Sequence, residues 1–229
     1  RSRGLGDVYK RQTLNLNITE GEVALIRDSA NPILLHSLTV DATGTLTLAM
    51  ASAGAAHNTT LLLNGTSQFM NGSTITLVIN PLLAQTNTPF ISTEDGATLT
   101  IQGDRNGTTL NIESNVAAPE RMLELVLFEG NMVGSYLNIN AYGALGTYYS
   151  ELHAENRDGQ IVLTGTRKAD NALLATADTS NSAAGAVLLW NCGEIKDGTE
   201  LSSLNRAVSN AWNDGDYARA NHLLSASAG

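Results

Sequence analysis

The chain is predicted to be mainly β, a right-handed parallel β-helix followed by a short α-helical C-terminal segment. Three observations predict this. First, a turn-plus-strand cassette recurs: N-G-S-T-I-T-L from Asn71, D-G-A-T-L-T-I from Asp95 and N-G-T-T-L-N-I from Asn106, with shorter relatives at Glu20, Thr43 and Asp158. Asx-Gly pairs turn the backbone at low cost, and the alternating residues that follow put Leu or Ile on one face and Thr or Asn on the other. Second, the cassette glycines Gly21, Gly44, Gly72 and Gly96 are spaced by 23, 28 and 24 residues, with Gly107 following after 11. Repeats of roughly 20 to 50 residues belong to solenoids, propellers or arrays. Third, the period changes from two to helical beyond Arg167.

Composition separates the repeat architectures. Propeller blades want periodic aromatic anchors, but aromatics are 5% of the chain and Phe69, Phe90 and Phe128 hold no fixed cassette position. Leucine-rich repeats want helices between strands, where this chain has Thr, Asn, Ser and Gly. A repetitive sandwich stays open beside the β-helix, which tolerates irregular spacing because each coil keeps its strands and varies its loops.

Taken in order, residues 1–12 (RSRGLGDVYKRQ) carry four of the 13 basic residues and resemble a translated sequencing adaptor, so they are set aside. Without them the balance is nine Lys/Arg against 21 Asp/Glu, a formal charge of -12. Residues 13–168 form the strand region. Alternation marks Leu14, Leu16 and Ile18, then Ile75, Leu77 and Ile79, and a Pro-containing break follows at 115–120. Met122 to Phe128, Tyr136 to Ile139, Tyr148 to Leu152 and Ile161 to Leu163 then read as strands of closing coils at about 120–168. The inward set is expected to include Leu46, Leu48, Ile75, Leu77, Leu99, Ile101, Leu110 and Ile112, since a slip of one residue would expose it. Residues 169–229 are helical. Leu201, Leu204, Val208, Ala211 and Trp212 make one apolar stripe, Thr199 caps it, and Asp214-Gly215 ends it. Tyr217, Ala220, Leu223 and Leu224 continue a second stripe, whose G-D-Y-x-x-A start also looks like half a tetratricopeptide repeat in a single copy.

Composition bounds the function. Cys192 is the one cysteine among 229 residues, so packing and the strand ladder must hold the fold. A net charge of -9, with no Lys/Arg cluster interleaved with aromatics, excludes nucleic acid as a partner. The best apolar run, Ala183 to Trp190, falls far short of the roughly 20 residues a membrane helix needs.

The tail also carries a resemblance. N-A-L-L-A-T-A-D-T-S-N-S-A-A-G-A-V-L-L-W-N from Asn171 to Asn191, with D-G-T-E-L-S-S-L-N-R-A-V-S-N-A-W-N-D-G-D-Y-A-R-A-N-H-L-L-S-A-S-A-G from Asp197 to Gly229, resembles the stretch joining passenger to barrel in bacterial autotransporters. The preceding 155 or so residues share only the style of a passenger. The resemblance implies a passenger displayed on the surface of a Gram-negative bacterium or secreted, with a C-terminal outer-membrane β-barrel as partner beyond Gly229. It also implies that the last coils template the folding of the rest.

Chemistry is sparse. His36, His57, His153 and His222 lie far apart, without i, i+4 pairing, so no metal site is expected. No nucleophile elbow, phosphate loop or dinucleotide fingerprint occurs, and no cofactor is expected. Glu94-Asp95, Asp104 and Glu113 are candidate acids for a carbohydrate lyase or hydrolase, with turn capping on a solvated face the simpler assignment. Asn17, Asn58, Asn64, Asn71 and Asn106 each begin an N-x-[ST] sequon and read as turn residues ahead of β-formers. Cys192, after Trp190, reads as a small buried hydrophobe. The expectation is therefore a non-enzymatic structural or adhesive module whose Thr/Asn faces contact host or cell-surface glycans. The alternative is a fragment of a carbohydrate-active, pectin-lyase-like β-helix enzyme.

Overall fold

The computed structural model describes residues 14–27, 31–50, 59–79, 88–114, 122–192 and 199–227. The adaptor-like segment, the break at 115–120, His57 and Asn58 lie outside the described residues. Fourteen strands and five helices are formed among the described residues. The strands are β1 (Asn15–Arg27), β2 (Ile33–Leu35), β3 (Ser37–Met50), β4 (Leu61–Leu63), β5 (Thr66–Phe69), β6 (Thr74–Ile79), β7 (Ile91–Thr93), β8 (Thr98–Gln102), β9 (Thr109–Ser114), β10 (Met122–Glu129), β11 (Asn131–Val133), β12 (Asn138–Gly143), β13 (Tyr149–Arg157) and β14 (Gln160–Arg167). The helices are α1 (Ala144–Tyr148), α2 (Ala172–Ala175), α3 (Ser180–Asn191), α4 (Glu200–Asn213) and α5 (Tyr217–Ser227).

The protein is mainly β, with an eight-stranded parallel sheet curled into a half-barrel beside a six-stranded sheet. Strand pairing joins distant turns of the chain. β2, β4, β7 and β10 pair in sequence, and β3, β5, β8 and β11 do the same. A third set runs β1, β3, β6, β9, β12. The long strand β3 serves twice: its first half pairs β5 and its second half β6.

Register follows the cassettes. Leu46, Ile75, Leu110 and Ile139 are direct partners in one column, and Leu48, Leu77, Ile112 and Ala141 in the next. Val40, Phe69, Ile101 and Met132 form a column of the second set. All eight residues expected to point inward are buried. Removing one such aliphatic side chain from water contributes about 1.5–3 kcal/mol. Polar residues buried between the strand columns find partners at two places: Ser67 accepts from the Leu38 amide at 2.9 Å, and the Ser73 and Thr108 hydroxyls meet at 3.0 Å.

The columns explain the uneven cassette spacing. Thr45, Thr74, Thr109 and Asn138 are successive partners, 29, 35 and 29 residues apart. Gly72 and Gly107 precede strands of this set, whereas Gly96 precedes β8 in the set before it. The step of 11 between Gly96 and Gly107 is thus two corners of one turn of chain, not a short repeat.

One expectation is corrected. The strands predicted over Tyr148 to Leu152 and Ile161 to Leu163 do not continue the parallel stack: β13 and β14 form an antiparallel hairpin, and β14 pairs antiparallel with β10. The physical reason is the loop. Asp158 and Gly159 both have positive φ (47 and 78), the backbone of a two-residue hairpin turn, and a parallel return would need a crossover of about a dozen residues. Tyr148 itself ends α1.

Candidate functional site

The C-terminal end of the stack is where the elements converge. Three edges would be left open there, and each is closed differently. The edge of β10 is covered by the hairpin. β11 ends its ladder against Asn156 of β13, whose side-chain amide accepts from the Met132 N–H and donates to the Met132 carbonyl, both at 2.8 Å. One side chain so replaces the next strand, satisfying backbone groups that would otherwise template aggregation. β12 is met by helices: Gly143 (φ 61) bends the chain into α1, and a Cβ there would lie 2.3 Å from the Ser114 carbonyl oxygen, so only glycine fits.

Tyr148, at the end of α1, ties the closure together. It is 1% exposed, and its hydroxyl donates to Asn205 Oδ1 of α4 at 3.1 Å with the Leu189 carbonyl of α3 at 3.4 Å. Its ring stacks on Trp190 of α3, centroids 4.7 Å apart. The Arg167 guanidinium, at the end of β14, lies 5.4 Å from the Tyr148 centroid and 5.5 Å from that of Trp190, and donates to the Trp190 carbonyl at 3.0 Å. Lys168 Nζ lies 4.5 Å over Trp212 of α4 and donates to the Gly146 carbonyl at 3.2 Å. Such cation–π contacts contribute about 0.5–2 kcal/mol, more when desolvated. Burial raises the Tyr148 phenol well above its ordinary range, against the opposing Arg167 charge, and burial lowers the Lys168 ammonium.

The helices themselves read largely as the sequence predicts. Thr199 caps α4 by accepting from the Ser202 amide, and Gly215 (φ 76) follows its end. The buried face of α4 is wider than the apolar stripe: Val208 and Ala211 are buried, Leu201, Leu204 and Trp212 are half-buried against the core, and Ser202, Asn205 and Ser209 are buried beside them. Small polar residues let α4 approach the stack, where Asn213 donates to the Gly143 carbonyl at 2.9 Å. α3 and α5 are equally close, since a Cβ on Gly185 would meet the Leu224 carbonyl oxygen at 2.3 Å.

The candidate acids occupy separate places. Glu94 and Asp95 lie in the turn between β7 and β8, closed by the Ala97 amide donating to the Glu94 carbonyl at 2.9 Å. Asp104 caps the next corner, accepting from the Ser135 amide at 2.8 Å. Glu113 lies on β9 and pairs with Arg206 of α4 at 2.6 Å. His36 contacts Asn64 Oδ1 through Nδ1 at 2.8 Å, while His153 and His222 are exposed on β13 and α5. No group of three metal-ligating side chains occurs among the described residues. Asn71 and Asn106 sit in turns, Asn64 at a corner, and Asn17 on exposed β1. Cys192 is half-buried at the end of α3.

Beside the closure is a cleft of about 350 Å³ at the seam of sheet and helix, lined by Glu113, Tyr142, Arg206, Asn210, Asn213 and Asp214. The chain positions of Glu113 and Arg206, 93 residues apart, gave no local signal of it. The closure did have one: Trp190 and Trp212 are the chain's two tryptophans, and both fall in the tail. No protein-family model, curated protein or solved structure matches the chain.

Proposed function

We propose that this chain is the closing part of an autotransporter-type passenger, a right-handed parallel β-helix with a structural or adhesive role at the bacterial surface. Its last strands and helices anchor the folding of the coils before them. The observation that carries the reading is the closure at the C-terminal end of the stack, where β10 is covered by the hairpin, β11 by the Asn156 side chain and β12 by helices. A one-dimensional stack is costly to nucleate and cheap to extend, so a sealed end is the natural template. A single cysteine suits the same route, because a disulfide formed early would obstruct threading of an unfolded chain.

The test is display. The chain is placed ahead of an outer-membrane β-barrel carrier and probed on intact cells with protease. The expected result is surface exposure with protease resistance. Deleting residues 122–167 leaves the barrel inserted and the passenger protease-sensitive or retained, whereas deleting one complete turn, residues 64–93, is tolerated. Equal display and equal resistance for both deletions would overturn the reading.

A further inference from the structure

We propose that the cleft at the seam of β9, β12 and α4 is a binding subsite for neutral saccharide. This rests on the adhesive reading and gives it a location different from the flat Thr/Asn faces.

The chemistry of the walls selects the ligand class. Sugar hydroxyls each donate and accept, so they are met best by planar side chains offering two atoms at once: carboxylates, amides and guanidinium groups. All three kinds are here, in Glu113, Asp214, Asn210, Asn213 and Arg206. The one aromatic wall is Tyr142, 44% exposed on β12, an amphipathic ring of the kind that covers the C–H face of a pyranose while its hydroxyl stays wet. Charge argues against the other classes. A second recess of about 410 Å³ shares Arg206, Asn210 and Asp214 and continues to Asp216 and Arg219. Across both recesses two guanidinium groups face three carboxylates, too balanced for a phosphate or a polyanion and too polar for an apolar ligand. Each volume is within the range of about 300–1,000 Å³ typical of ligand sites.

The walls are also held in place before any ligand arrives. Glu113 fixes Arg206 at 2.6 Å, and the Gly143 carbonyl fixes the Asn213 amide at 2.9 Å. Tyr142 is carried by a paired strand. Preorganised polar walls reduce the ordering cost that otherwise weakens binding. Two recesses that share Arg206, Asn210 and Asp214 suit more than one residue of an oligosaccharide rather than one monosaccharide.

The experiment uses the intact chain, labelled with 15N, titrated with cellotetraose, chitotetraose and maltotetraose. At least one is expected to shift the side-chain signals of Asn210, Asn213 and Arg206, with a Kd of about 1 mM or tighter. Tyr142→Ala and Asn210→Ala should each weaken that binding about tenfold while leaving the unfolding midpoint in place. Shifts confined to the Thr/Asn sheet faces, or binding unchanged in both variants, would overturn the site. So would no shift with any of the three at ten times that concentration. Display and sugar binding separate the two claims: a displayed chain that binds none loses the subsite alone, and a binding chain that is not displayed loses the passenger reading alone.

Discussion

Tyr148 belongs to none of the repeated cassettes, yet α1, α3, α4 and β14 all meet at its ring and hydroxyl. Tyr148→Phe removes the donation to Asn205 and is expected to lower stability by about 1 kcal/mol in urea unfolding. Its pH dependence is a sharper test. Burial raises the phenol from 10.0 in the fold, so below pH 10 the folded and unfolded states both keep its proton and stability is full there. Above pH 10 the unfolded phenol ionises while the folded one keeps its proton, and stability falls as pH rises. The Phe variant should show a shallower alkaline decline than the native chain; parallel declines would contradict the assignment. In the core, Leu110→Ala opens a cavity in the column between Ile75 and Ile139, at an expected cost of about 2–5 kcal/mol, read from the same unfolding curves.

Among the elements, the strands were the most legible part of the chain. T-L-T-L at Thr45 or T-I-T-L at Thr74 has a strict period of two, and only one register buries Leu and Ile. What the sequence hid was direction and contact. Period two is the same in parallel and antiparallel strands, so β13 and β14 looked like further coils, although Asp158-Gly159 is a hairpin signal. The apolar stripe of α4 was legible from its 3.6-residue period, but the small polar residues Ser202, Asn205 and Ser209 buried beside it carry no hydrophobic signature. Glu113 with Arg206, and Asn156 with Met132, depend on chain turns that no local pattern encodes. Thr199→Ala removes the cap of α4 and should cost about 1 kcal/mol. Gly185→Val should cost more, because its side chain would meet the Leu224 carbonyl and force α3 from α5; near-ultraviolet circular dichroism of Trp190 and Trp212 reads the displacement.

Across the whole molecule, parallel pairing runs from β1 and β2 at one end to β10, β11 and β12 at the other. If these strands stack as the proposed β-helix, each layer touches mainly its neighbours and stability is expected to be graded along the stack rather than uniform. Leu14, just before β1, and Ile26 of β1 are more than half exposed, while Leu145, Tyr148, Ile161 and Leu163 at the other end are buried to 1% or less. Native-state hydrogen exchange resolved by residue tests the central claim, that the sealed C-terminal end anchors the stack. The slowest exchange is expected in β10, β14 and α4, then β6 and β9, with β1 fastest, and protection should fall in all of them when Tyr148 and Trp190 are both changed to Ala. A protection maximum in β1 to β3, or a double variant that loosens only α3 and α4, would contradict it.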